Sequence, residues 1–184
     1  RKCRLVACEA VGRFDVADTW SPTIGIDSTR LLFVVGAMND MEILTLDVSG
    51  AYLMGSRPSD EDTVYLRMPS GLEHIIAAMK ERGLKPDPRL SYLAPDGTPM
   101  VWICDGNLYG LQSAGKIFWL YAREWLLSIG FTQATVDPCI FVRRTAEGVI
   151  IVGLYVDDSL NLFGNPTVKA WYLAAFAEKF DQSP

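Results

Sequence analysis

Two apolar segments, Val149–Tyr155 and Ser159–Phe163, meet around Tyr155-Val156-Asp157-Asp158 with no longer connection between them. So short a break between runs of β type forces the chain to reverse, which predicts an antiparallel hairpin and with it an antiparallel sheet. The tip is unusual. It holds neither Gly nor Asn-Gly, the residues that supply left-handed backbone in tight reversals. It also sets two carboxylates side by side, and adjacent like charges cost Coulomb energy unless solvent or a cation relieves them. Aspartate is at home in turns too, so a solvated polar turn would satisfy the same four letters. Context has to decide between the two readings.

A second aspartate closes another apolar run. Met41–Val48 suits a buried strand ending at Asp47, 110 residues before Asp157. Alone, Asp47 reads as a strand-end or helix-capping residue. Together with the hairpin pair, it allows three acidic groups from two strands to converge and bind hard divalent cations through oxygen. Two such ions can activate one oxygen and stabilise a leaving oxygen in an in-line phosphoryl displacement. Other chemistries have less to work with. His74 is the only histidine, and Cys3, Cys8, Cys104 and Cys139 form no Cys-x-x-Cys pair, which argues against zinc and multi-histidine sites. The cysteines read as reduced core residues of an intracellular protein. A glycosidase built on Asp47 and Asp157 would leave Asp158 without a role.

The 184 residues are about the size of one domain, and 49% apolar content is enough for a packed core. The longest apolar stretches, Leu31–Met38 and Val149–Val156, are too short to span a bilayer, and no secretory signal opens the chain. A net charge of −5 excludes a uniformly basic nucleic-acid binder but not a local basic groove. Along the chain, the pattern predicts short strands at Arg4–Ala10 and Val64–Met68. It predicts helices over Thr29–Asn39 (capped by Ser28, with Leu31, Leu32, Val35 and Met38 inward) and Leu72–Arg82, the latter stopped by Gly83. A surface excursion follows from Leu84 to Thr98, turning at Pro95-Asp96-Gly97. Ser113 is positioned to cap a helix reaching Ser128, with Ala114, Phe118, Tyr121 and Trp125 as its apolar stripe. Strands Cys139–Arg143 and Val149–Tyr155 flank a turn at Thr145–Gly148. Asn165 and Pro166 start a last helix with Val168, Tyr172, Phe176 and Phe180 on one side. No repeat and no domain boundary stands out. Helices alternating irregularly with hairpins predict an α+β fold, an antiparallel sheet with helices packed on one face.

Six segments, in order, resemble the reverse transcriptases of copia-type LTR retrotransposons. They are Arg4-Leu5-Val6-Ala7; Asp18-Thr19-Trp20-Ser21-Pro22-Thr23 with Thr29-Arg30-Leu31-Leu32; Leu46-Asp47-Val48-Ser49-Gly50-Ala51-Tyr52-Leu53; Leu108-Tyr109-Gly110-Leu111; Asp137-Pro138-Cys139-Ile140-Phe141-Val142; and Tyr155-Val156-Asp157-Asp158. The match covers most of Arg4–Phe180 apart from roughly Leu72–Val101. The resemblance implies a right-hand polymerase architecture, with palm at about 41–54 and 106–184 and a partial fingers region at about 1–40 and 55–105. It implies no thumb and no ribonuclease H within the chain.

By the same resemblance, Asp47, Asp157 and Asp158 would be the catalytic metal ligands, with the Val48 backbone carbonyl added to one site. Two magnesium ions, or manganese in their place, would hold an incoming dNTP and lower the pKa of a primer 3′-hydroxyl. Tyr52 would abut the sugar and clash with a 2′-hydroxyl, unless it is simply a core tyrosine. Arg4 and Lys2 would contact the triphosphate, the alternative being a solvated strand edge. Where the family usually has Lys-Gln-Ala-Pro-Arg, this chain has Gln112-Ser113-Ala114-Gly115-Lys116, so Ser113 takes the place of the nucleotide-approaching Gln. The implied partners are an RNA/DNA template-primer, dNTPs and the integrase and ribonuclease H of a Pol-type polyprotein. The implied location is a cytoplasmic virus-like particle, with no membrane. The other reading is a catalytically inactive or domesticated fragment, at most a nucleic-acid-binding module.

Overall fold

A computed structural model describes residues 6–7, 20–56, 64–87, 93, 96–98, 100–104 and 106–180. The chain divides into two compact units, Arg1–Ser56 with Asn107–Pro184, and Arg57–Gly106.

The first unit is built on a five-stranded antiparallel sheet. Its strands are β1 (Glu42–Asp47), β4 (Thr132–Gln133), β5 (Ile140–Thr145), β6 (Gly148–Tyr155) and β7 (Asp158–Phe163), in the spatial order β1-β7-β6-β5-β4. The hairpin expected from the opening sequence feature is β6–β7. The β5–β6 turn is the expected four-residue reversal, closed by the pair Thr145 and Gly148. β6 is buried along five successive residues, the mark of a strand covered on both faces.

Both faces are indeed covered, which corrects the expectation of helices on one face. Successive strand residues point to opposite sides of a sheet. Phe163 meets Tyr172 of α4 (Pro166–Phe180), with ring centroids 5.7 Å apart. Its neighbour Leu162 lies against Gly36 of α1 (Ile26–Met38). α4 and α1 therefore pack on opposite faces. α1 approaches closely because Gly36 has no Cβ; one placed there would come within 2.9 Å of Ile43 Cδ1. On the α4 side lies α3 (Ala114–Ser128), joined to it by an aromatic seam in which the Trp125 ring lies 4.9 Å from Phe180 and 6.0 Å from Tyr172.

Local sequence explains some boundaries and not others. The Asn165 side chain accepts the N–H groups of Thr167 and Val168 at 3.0 and 3.1 Å, so it caps α4 as expected. The four inward residues Val168, Tyr172, Phe176 and Phe180 are all buried. α1 begins at Ile26 rather than Thr29, and Ser28 is not its cap. Asp137 caps it from a distance by accepting the Gly25 N–H at 3.1 Å. Of the residues expected to face inward on α1, Leu32 is buried, but Leu31 and Met38 are exposed. Ser113 stands at the N-cap of α3 without a side-chain cap bond. The buried line of α3 runs Ala114, Phe118, Ala122, Leu126 with Ile117, while Tyr121 and Trp125 flank it, half-buried, against α4.

The second unit pairs β2 (Val64–Arg67) with β3 (Val101–Cys104), a strand the sequence pattern did not single out, and carries α2 (Leu72–Glu81). Gly83, at φ 73°, ends α2 by donating its N–H to Lys80 O, and Leu84 donates to Met79 O. Asp96 organises the turn of the excursion by accepting the Thr98 N–H and hydroxyl. The strand expected at Arg4–Ala10 lies outside the described residues except for Val6 and Ala7, which are in no regular element. Among the described residues no helix is long and apolar enough to cross a membrane.

Candidate active site

The tip of the β6–β7 hairpin is a two-residue loop, Val156-Asp157, closed by the pair Tyr155 and Asp158. Val156 has φ 55°. A β-branched side chain is strained there, at a cost of about 1–3 kcal/mol, and such strain persists only where the surroundings impose it. The surroundings are the end of β1. Asp47 stands directly opposite Asp158 in the β1–β7 register, and the Val48 N–H donates to the Asp157 carbonyl at 2.9 Å. Cross-strand partners share a face, so Asp47 and Asp158 lie on the same side of the sheet. Asp47 and Asp158 are exposed, Asp157 is half-buried, and Val48 is buried.

The backbone thus brings the three aspartates to one tip, but their side chains do not close into a cluster. Among the described residues no three His, Cys, Asp or Glu side chains gather tightly enough to hold a metal ion. The convergence read from the sequence is therefore one of backbone register. Mutual repulsion of like charges, open to solvent, gives the carboxylates no reason to close further. The donor set is oxygen only, which suits a hard cation such as magnesium or manganese. The Val48 carbonyl already accepts the Ala51 N–H at 3.2 Å, which uses one of its two lone pairs.

Beyond Val48, Gly50 at φ 74° starts a 3-10 turn over Ala51–Leu53 that presents Tyr52. The Tyr52 ring meets Tyr109 edge-on, centroids 5.2 Å apart at 68°. Its phenol is held above the ordinary tyrosine value, first by burial, then by the negative charge of Asp157, then by Tyr109. Tyr52 is therefore electrostatically in touch with the hairpin tip. The start of α3 is also near, where a Cβ on Gly115 would lie 3.9 Å from Tyr52 Cε1 and 3.3 Å from Ser21 Cβ. Ser113 is two residues before that contact and half-buried. Arg4 and Lys2 lie outside the described residues.

Three features of the site had no role in the sequence reading. Tyr109 was one letter of a segment, and its contact with Tyr52 spans 57 residues. Gly110, at φ 91°, lets the backbone of Ala7 pass so closely that any Cβ would overlap it, while the Ala7 N–H donates to Tyr109 O at 2.7 Å. The signal available was the glycine itself. Ser159 and Asn161, buried polar residues of β7, were hidden in what reads as an apolar strand. Of the two described thiols, Cys139 is pushed up to about 12 by burial and then by Asp137, so it stays protonated, and Cys104 is a free thiol as well.

Residues 92–183 match the family described as reverse transcriptase (RNA-dependent DNA polymerase), half of the chain and inclusive of the hairpin tip. The chain is also similar to the retrovirus-related Pol polyproteins from transposons RE1 and RE2 of Arabidopsis thaliana. It is 29% identical to the first over 181 residues and 30% to the second over 182, 97% of this chain in each case. A third relative is the Pol polyprotein from transposon TNT 1-94 of Nicotiana tabacum, 29% identical over 86% of the chain. The chain spans only 11% of the RE1 and RE2 polyproteins and 10% of TNT 1-94. No solved structure matches it. With a hairpin tip bearing two of the three aspartates inside the matched half, and Pol relatives aligned along almost all the rest, the chain belongs to the reverse transcriptase family, as a fragment of its copia-type branch.

Proposed function

We propose that this chain is the fingers–palm portion of an RNA-directed DNA polymerase that adds dNTPs to a primer 3′-hydroxyl on an RNA or DNA template, within a Pol-type polyprotein. The observation that carries the reading is the register of β1 on β7. Asp47 is set opposite Asp158, and Val48 is bonded to Asp157, across 110 residues of chain.

Asp47, Asp157 and Asp158 would hold the two magnesium ions, with manganese able to replace them. When bound, the ions supply charge neutralisation at the triphosphate and a lowered pKa at the primer hydroxyl. The chain's own work is positioning, which accounts for most of phosphoryl-transfer catalysis. The β6–β7 tip fixes two carboxylates relative to the third. Tyr52, in edge-on contact with Tyr109 and beside the start of α3, would abut the sugar of a bound nucleotide, where its ring would clash with a 2′-hydroxyl. Ser113, with Arg4 and Lys2, would contact the nucleotide.

The test is metal-dependent primer extension on poly(rA)·oligo(dT) by the chain within its polyprotein, with and without Asp157→Asn. Removing one ligand and one negative charge is expected to lower the rate by at least about 1,000-fold, the scale of losing a principal electrostatic group. Extension by the variant at the wild-type rate would refute the reading. No extension by the wild type would leave the inactive, nucleic-acid-binding alternative.

A further inference from the structure

Beneath the hairpin tip, on the sheet face that carries α4, two polar side chains are buried in β7. Asn161 is fully buried and Ser159 nearly so, at 0% and 4% exposure. They form one chain of hydrogen bonds. Asn161 Nδ2 donates to Leu44 O at 3.2 Å, and lies 3.1 Å from Ser159 O and 3.0 Å from Ser159 Oγ. Ser159 Oγ donates in turn to Leu46 O at 3.3 Å. Leu44 and Leu46 are the register partners of Asn161 and Ser159, and Asp47 follows Leu46. Every acceptor around the amide is an oxygen, so its NH2 must point toward them. That leaves Asn161 Oδ1 buried with no hydrogen-bond partner among the described residues.

An orphaned buried carbonyl costs stability, and a leucine at this position would avoid that cost. Leucine would also take the amide donor away from Leu44 O and the Ser159 oxygens, so what the amide contributes here is its bonds across to β1. Among the described residues β1 is one of the two edge strands of the sheet, and none of its residues is fully buried. Burial of one face is what ordinarily specifies register, and a slip of one residue would move every side chain of the strand to the other face. β1 adds Ile43, Leu44 and Leu46 to the core only as half-buried side chains, so burial alone specifies its register less firmly than that of β6.

We propose that Asn161, acting with Ser159, is a positioning residue that locks the register of β1 on β7 and so keeps Asp47 opposite Asp158. The lock stands on the hydrogen bonds alone. Its catalytic consequence rests on the polymerase reading given above.

The experiment compares wild type with Asn161→Leu, Ser159→Ala and Ser159→Thr in the polyprotein. The amide of Val48, bonded across to Asp157, reports the seam by hydrogen exchange. In Asn161→Leu it should exchange at least about tenfold faster, as local opening becomes easier, while β6 amides such as Val152 stay within about twofold. In primer extension, kcat should drop about 10- to 100-fold, the effect of a small misplacement at a reacting centre, with KM for the dNTP nearly constant. Ser159→Ala should shift both readouts the same way, and Ser159→Thr, which keeps the hydroxyl, should restore them. Unchanged Val48 exchange in both Asn161→Leu and Ser159→Ala overturns the lock. Faster exchange with unchanged kcat overturns the positioning role. A wild type that extends no primer overturns the polymerase reading, and the exchange data still decide the lock.

Discussion

Val156 is the residue at which the site and ordinary turn chemistry conflict. At φ 55° it occupies backbone that Asn or Gly would take with less strain. The absence of such a residue between β6 and β7 is visible in the letters alone, and it is what singles out the tip. The strained angle itself is not visible there, because it depends on β1 gripping Asp157 through Val48. Val156→Asn should therefore stabilise the protein by about 1 kcal/mol, the lower part of what left-handed strain costs. Denaturant unfolding would measure it. A lower midpoint for the variant would mean that packing of the half-buried valine outweighs the strain. Tyr52 shows the complementary limit of sequence reading. Its place in a segment is legible, but its contact with Tyr109 joins two chain segments that no local pattern connects.

Among the elements, legibility follows the location of the capping group. α4 can be read in full because Asn165, Pro166 and the four-residue spacing of its inward side chains are all local. α1 cannot. Its cap comes from Asp137, 112 residues away, and its run Leu31-Leu32-Phe33-Val34-Val35 is apolar on every side, so no periodicity selects a face. β3 escapes because four residues next to a proline-rich excursion carry little pattern. Asp137 also gives the fold a pH dependence. Burial raises its pKa, but hydrogen bonds from the Ser28 hydroxyl and the N–H groups of Cys139 and Gly25 outweigh burial and leave it lowered. A carboxyl depressed in the folded state stabilises above its unfolded value of about 3.9, and that contribution is lost as pH falls through the folded value. Asp137→Asn should cost about 2 kcal/mol near neutral pH, the scale of hydrogen bonds to a charged group. Its disadvantage should shrink as pH is lowered below about 4, since protonation then removes the same charge from the wild type. Thermal unfolding of both proteins between neutral and acid pH would measure the convergence. Parallel curves would show that Asp137 acts through shape alone.

At the scale of the whole molecule, the two units contribute unequally to the core. Among the described residues the buried core cluster, from Ile24 to Phe180, draws every member from Arg1–Ser56 and Asn107–Pro184, and none from Arg57–Gly106. The inserted unit enters between the 3-10 turn that presents Tyr52 and the segment that presents Tyr109. To the core it is a connection, and the stability of a connection depends on its length only logarithmically. Replacing Arg57–Gly106 by a Gly/Ser linker of about 20 residues should leave the five-stranded sheet folded. Closure of the shorter loop favours folding by about 0.8 kcal/mol. The melting temperature and the exchange protection of β6 amides should stay near those of the intact chain. Loss of cooperative unfolding would instead place part of the sheet's stability in the inserted unit. The β1–β7 pairing is the stricter part of that outcome. β1 precedes the insertion and β7 follows it, so protection of the Val48 amide in the shortened chain would show that the aspartates are brought together by the sheet alone.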